Sequence, residues 1–382
     1  MNARIRILGL ALALLALASL ASARGDEGSR TKSFTVSKGG TLEIATGVGD
    51  VRIKPWDKNE VVVTVDGLDD EELQRVKMTQ NGNTVRVSFR PSWGSHSGNV
   101  LFEASVPAQF NLDMNTSGGD ITITGTLNGK IDGSTAGGDI KLGTIMGGPV
   151  EMSTSGGDIE AGNMQGDGRL KTAGGDIKVG AVNGTLEVAT SGGDITVESV
   201  AKSLEAKTAG GDIQIGDVGG EARVSTSGGS ISVGRVSGKV TMSTAGGDLE
   251  LKGASGRVVA RTSGGDVRLR GVTGSIEAKT AGGEVDAELV PSGKGDSKLT
   301  SAGGNIRLAV PENAKVTIEA TIRIDGWGRR AERYKVRSEF KQESYETDTD
   351  AGEIRAVYKL NGGGDLIELQ TVNADIELRK LR

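Results

Sequence analysis

The chain has 382 residues, with 61 glycines, six prolines, three tryptophans, three tyrosines, five phenylalanines and no cysteine. So few aromatic side chains rule against one large ring-filled core and point to many thin layers of Val, Ile, Leu and Ala. The net charge of −5, with both signs interspersed, excludes the basic footprint of a nucleic-acid binder, and the missing cysteines exclude disulfides and a lipidated cysteine anchor.

In chain order, MNARIRILGLALALLALASLASA comes first, with Arg4 and Arg6 ahead of an apolar run that ends in Ala21-Ser22-Ala23. This is the pattern of a secretory signal peptide over residues 1–23, its apolar run shorter than the ~20 residues of a membrane-spanning helix. The expected destination is the periplasm, the cell surface or the medium. Residues 33–110 lack a strict period: VVVTVDG and NTVRVSF read as strands, and DDEELQRV as one or two helical turns. They are expected to form an N-terminal β-rich capping segment.

Residues 111–310 repeat one phrase, Thr-(Ala/Ser)-Gly-Gly-Asp-(Ile/Leu). The residue after each Gly-Gly pair is Asp120, Asp139, Asp158, Asp176, Asp194, Asp212, Ser230, Asp248, Asp266, Glu284 and Asn305, at steps of 19, 19, seven times 18, then 21. Within residues 204–221, Leu204, Ala206 and Thr208 alternate with Glu205 and Lys207, and beyond Gly210-Gly211-Asp212 the residues Ile213 and Ile215 flank Gln214. Alternation with period two means strands with one buried face, and the glycine pairs mark sharp turns. Such units can run antiparallel, as a meander or propeller, or stack in register as a parallel solenoid. The near-constant length favours the solenoid, because every residue can then sit above its equivalent. About eleven 18-residue units at ~4.8 Å per layer would form a rod of roughly 50 Å. The residue before Gly-Gly alternates Ser and Ala from Ser117 to Ala281, so the periodicity allows a turn of 18 or of 36 residues.

Residues 311–382 lose the period and regain bulk: Trp327, Tyr334, Phe340 and Tyr345 lie among Arg329, Arg330, Arg333, Lys335 and Arg337. No Phe, Trp or Tyr falls between Phe110 and Trp327. The segment is expected to be a C-terminal cap, with residues 362–378 returning to the strand pattern. Its basic aromatic stretch, centred on Trp327, Arg329, Arg330, Arg333 and Tyr334, is also the best candidate for contact with anionic envelope material, including a peripheral membrane contact.

Stacked carboxylates repel by about 1 kcal/mol per neighbouring pair even in a water-like dielectric, so the Asp column needs compensation. Calcium between the turns is one answer, but the phrase lacks the spacing of nine-residue calcium repeats. Ser230 and Asn305 keep an oxygen acceptor and lose the charge, which fits a side chain that bonds turn N–H groups. Asp120, Asp139, Asp158, Asp176, Asp194, Asp212, Asp248 and Asp266 are therefore read as structural turn residues, with no cofactor. An enzyme would need a local break in the repeat with clustered acids or bases. The single histidine, His96, lies in the Gly/Ser-rich stretch PSWGSHSGNV, and no triad, metal spacing or phosphate loop stands out.

The phrases NTSGGDITI, STSGGDIEA and ATSGGDITV, the opening GGTLEIATGVGDVRI and the closing GGGDLIELQTVNADIEL resemble the bacterial DUF4097 family of candidate adhesins. The resemblance runs from about Phe34 to the end. It implies an all-β parallel β-solenoid in the cell envelope or outside it. The repetition of equivalent faces is read as a non-catalytic binding scaffold of the adhesin type, whose partner is an envelope glycan or protein. The alternatives are an envelope-stress accessory protein that binds a protein partner and a polysaccharide-acting β-helix enzyme.

Overall fold

The computed structural model describes residues 28–91, 99–325, 333–348 and 350–381. The repeats stack into a succession of coils in which two long parallel sheets face each other across a narrow apolar core. In one coil, Leu204–Lys207 belongs to the second sheet, the Gly-Gly-Asp corner follows, Ile213–Val218 belongs to the first sheet, and Gly219-Gly220 turns the chain back.

The register settles the length of a turn. Leu204 pairs with Ala222 and Ala206 with Val224; Ile213 pairs with Ile231 and Ile215 with Val233, all parallel. One turn is therefore 18 residues, and the Ser/Ala alternation runs within a single column: the Ala209 N–H bonds the Ser191 carbonyl and the Ser227 N–H that of Ala209. Inward residues such as Leu204, Ala206, Ile213, Ile215 and Val218 are almost wholly buried. A cross-section this thin holds aliphatic side chains and has no room for a ring.

The departures from 18 each have a local cause. The first 19-residue step ends at a coil whose partner strand carries a bulge at Gly125, with φ of +73° and a register shift opposite Leu142/Thr144. The second comes from a longer corner, Met146-Gly147-Gly148-Pro149, between Ile145 and Val150. The step of 21 reflects the loop from Val290 to Asp296, where Gly293 and Gly295 take positive φ, offset in part by a shortened strand at Val285–Leu289.

At the N-terminal end the strands are β1 (Gly28–Thr35), β2 (Thr41–Thr46), β3 (Asp50–Trp56), β4 (Glu60–Leu68), β5 (Lys77–Asn81), β6 (Thr84–Phe89), β7 (Leu101–Pro107), β8 (Asn111–Asn115) and β9 (Ile121–Leu127). The first sheet begins β1-β4-β7-β3-β9 and the second β5-β6-β2-β8, with β1, β4 and β5 antiparallel to their inner neighbours. The coil β2/β3, first in sequence, thus lies inside the coil β6/β7. Helix α1 (Asp70–Arg75) carries the chain from one sheet to the other. Asp69 caps it by accepting the Glu72 N–H (2.8 Å), Leu73 enters the core, and the Arg30 guanidinium donates to the Leu73 and Val76 carbonyls at its end (2.8 and 2.9 Å).

The C-terminal end mirrors this plan. The last coil in sequence, Asp365–Val372 with Ile376–Lys380, does not lie outermost. It inserts between Ser297–Ser301 with Ile306–Val310 on one side and Val316–Arg323 with Val336–Ser338 on the other. Glu353–Leu360 and Ser344–Asp348 then finish the second sheet antiparallel. Tyr358 is fully buried, and Tyr334 and Phe340 pack on the end of the core.

Candidate functional site

Each Gly-Gly-Asp corner is held by two columns of hydrogen bonds. The Thr208 hydroxyl donates to the Gly193 carbonyl of the preceding coil (2.9 Å) and receives the Gly211 N–H of its own turn (3.4 Å). The Asp212 N–H donates to Asp194 Oδ1, and Asp212 Oδ1 accepts the Ser230 N–H, both at 2.7 Å. The turn N–H expected to bond the aspartate thus belongs to the next coil, while the N–H of its own turn goes to threonine. The second glycine is required because the coils touch there: a Cβ on Gly211 would lie 2.2 Å from the Gly193 carbonyl oxygen.

The predicted aspartates all fall into this column. Asp120, Asp139, Asp158, Asp176 and Asp194 each accept the N–H of their successor at 2.7–2.9 Å, as do Asp248 and Asp266 at 2.8 Å. Ser230 Oγ does the same for Asp248 at 3.2 Å, and Asn305 Oδ1 for Asp375 at 2.9 Å. Glu284 instead accepts from the Asn305 amide and from Arg307. Two members went unrecognised in the sequence: Asp50, which accepts the Asp120 N–H (2.9 Å), and Asp375, which accepts the Lys335 N–H (2.9 Å). The dipeptides Asp50-Val51 and Asp375-Ile376 repeat the Asp-apolar half of the phrase, but Val48-Gly49 and Asn373-Ala374 replace the glycine pair. Each oxygen that faces an N–H offsets part of the repulsion along the column. Among the described residues no group of three acidic or histidine side chains is placed to hold a metal ion.

A groove of about 650 Å³ runs along the outer face of the first sheet from Glu160 to Lys252. Its central side chains, Thr196, Gln214 and Ser232, are direct partners in successive coils. Its floor includes Gly180, Gly216 and Gly234, where a Cβ would meet atoms of the preceding coil at 1.9–2.5 Å. The periodic alternation had marked these positions only as outward-facing.

Further along the same face the surface becomes a lattice of ion pairs. Arg270 holds Asp286 through two bonds (2.9 and 2.7 Å), keeping that carboxyl below the usual carboxylate range, and Arg379 does the same for Glu377. On the second sheet, Lys171 lowers Glu187, and Arg257 together with Arg261 lowers Glu277. Asp286, Glu187 and Glu277 thus pair with a neighbouring coil, and Glu377 pairs with Arg379 on its own strand and with Arg307 on the next (3.7 Å).

At the C-terminal end a second cavity of about 420 Å³ lies among Thr300, Gln370, Thr321, Arg323 and Arg355. Of the residues predicted to touch the envelope, Arg333 stacks on Tyr334 (5.8 Å to the ring centroid) and Tyr334 packs against the core. Nearby Arg337 pairs with Asp375 (3.3 Å). Trp327, Arg329 and Arg330 lie outside the described residues, as do His96 and the segment 1–23. No helix among the described residues is long and apolar enough to cross a membrane.

Several solved structures are similar. A candidate adhesin from Parabacteroides distasonis shares 16% identity, with 69% of this chain and 98% of that chain covered and a TM-score of 0.37. A candidate adhesin from Parabacteroides merdae shares 14%, with 69% and 96% covered and a TM-score of 0.33. A candidate lipid-binding protein from Parabacteroides distasonis shares 13%, with 74% and 93% covered and a TM-score of 0.22. Likenesses at these scores carry nothing about function. Among curated proteins none matches the chain. The sequence profile of Toastrack DUF4097 matches residues 40–221 and again 202–326, nearly the whole run of coils, and the chain belongs to that family.

Proposed function

We propose that this protein is an exported, non-catalytic binding scaffold of the adhesin type that works in the cell envelope or outside it. One observation carries the reading: outward side chains recur in register coil after coil, as Thr196, Gln214 and Ser232 do. A surface of equivalent positions on a rigid core gains strength by adding many weak contacts, whereas catalysis needs one site unlike its neighbours. The acids with shifted titration all have cationic or hydrogen-bonding partners that hold the scaffold. The Asp column is scaffolding in the same sense, and export rests on the pattern of residues 1–23.

Beads coated with the purified chain test this against envelope preparations and their polysaccharides. Saturable retention with no release of reducing ends is expected. Turnover of any polysaccharide would overturn the non-catalytic reading, and capture of one stoichiometric protein alone would favour the accessory-protein alternative. For the column, millimolar calcium is expected to leave the melting temperature unchanged; a rise would assign the aspartates to the metal.

A further inference from the structure

The groove on the first sheet has a definite chemistry. Thr196, Gln214 and Ser232 offer donors and acceptors without charge, one per coil, at the ~4.8 Å spacing of stacked strands. The charges around them, Glu160, Lys178, Glu198, Asp217, Arg235 and Lys252, comprise three acids and three bases, so the groove sets up no net field for a polyanion. Gly216 and Gly234 leave room beside Gln214 and Ser232, and Glu198 and Lys252 take the equivalent place in the coils on either side. The groove also lies on a sheet face whose strands are paired on both sides, and an extended peptide would find no free backbone edge there. We propose that this groove binds a linear, uncharged, hydroxyl-rich polymer, a neutral glycan lying along the stacking axis with about one sugar unit over each coil.

The inference rests on the adhesin reading and names its ligand class and its surface. With no aromatic platform in the repeats, each sugar contributes only edge hydrogen bonds, so affinity must build with the number of coils engaged. Titration calorimetry of the full chain with unbranched neutral oligosaccharides of increasing length tests this. The dissociation constant is expected to fall with each added sugar and level off once the groove is spanned. Gln214→Arg, at an exposed position, is expected to weaken binding at least tenfold without changing the melting temperature. Ser243→Arg, exposed on the opposite sheet, should leave binding unchanged. Equal binding by wild type and Gln214→Arg, preference for a polyuronate, or no oligosaccharide binding would each overturn the proposal. So would an envelope protein captured by the wild type and lost in Gln214→Arg. The bead assay separates the two levels: envelope retention that survives Gln214→Arg removes the groove and keeps the adhesin reading, whereas no retention by the wild type removes both.

Discussion

Between Leu112 and Leu308 each coil has a near-copy of itself on both sides, whereas the outermost coil at either end has one on a single side only. The interior coils are held by repetition: small side chains, the Thr and Asp columns, and glycines where backbones touch. The ends are held by exceptions. Each places the terminal coil of the sequence inside a coil that is its neighbour along the chain, turns outer strands antiparallel, and closes the core with α1 at one end and with Tyr334 and Phe340 at the other. Repetition thus supplies stability only where both neighbours exist, and an end must be built from something else.

The sharpest way to break this comparison is to delete a coil from each region. Removal of residues 204–221 joins equivalent positions and should give a soluble rod one layer shorter, with a lower denaturant m-value and a similar melting temperature. Truncation after Leu360 takes away the coil inserted between Ser297–Ser301 and Val316–Arg323 and should leave an insoluble chain. Circular dichroism and size-exclusion chromatography would show it, and a soluble truncated protein would deny the ends their special role.

Next in size are the glycines. Gly211→Ala drives a Cβ against the Gly193 carbonyl and should cost about 3 kcal/mol, because neither backbone can yield without losing the register. At the N-terminal end Gly82, with φ of +57° and nothing near its Cβ position, should cost only about 1 kcal/mol when changed to Ala, from backbone strain alone. Equal losses in urea melts would contradict the contact argument.

Within the corner the two columns should differ. Thr208→Val leaves the Gly193 carbonyl without its buried donor and is expected to cost about 1–3 kcal/mol. Asp212→Ala, at an exposed bond, should cost about 1 kcal/mol, and Asp212→Asn less, since Oδ1 survives. A larger loss for Asp212→Asn than for Thr208→Val would mean that the charge itself is needed.

The smallest effect per group is titration of the surface lattice. Asp286, Glu187, Glu277 and Glu377 have folded pKa values lowered by their cationic partners, so the unfolded chain takes up protons first as the pH falls. Their contribution is complete above the ordinary carboxylate range and declines through it to the lowered values. Each exposed pair is worth at most about 1 kcal/mol. Arg270→Gln should therefore flatten the acid limb slightly and leave neutral stability nearly intact; an unchanged limb would remove Asp286 from the account.

The solenoid was legible because its signal is redundant. Alternating Leu204, Ala206, Ile213 and Ile215 specify inward faces, and the constant step specifies their superposition. The positions of the Asp column, Ser230 and Asn305 included, were legible for the same reason, whereas the coil that each side chain bonds was not. Asp50 and Asp375 were missed because their corners carry Val48-Gly49 and Asn373-Ala374 instead of a glycine pair, though the register accepts them. The groove was missed because Thr196, Gln214 and Ser232 look like any other outward residues until the register sets them side by side.

From the sequence alone came the coil's composition, its two turns and the direction of its buried faces, all set by contacts within about one repeat. The length of a turn, the direction of each aspartate's bond and the place of the terminal coils were decided only in three dimensions. Those depend on which layer lies against which, and a strand carries the same local pattern whether its neighbour is the next repeat or a segment some 70 residues away, as for Ser297 and Ile367.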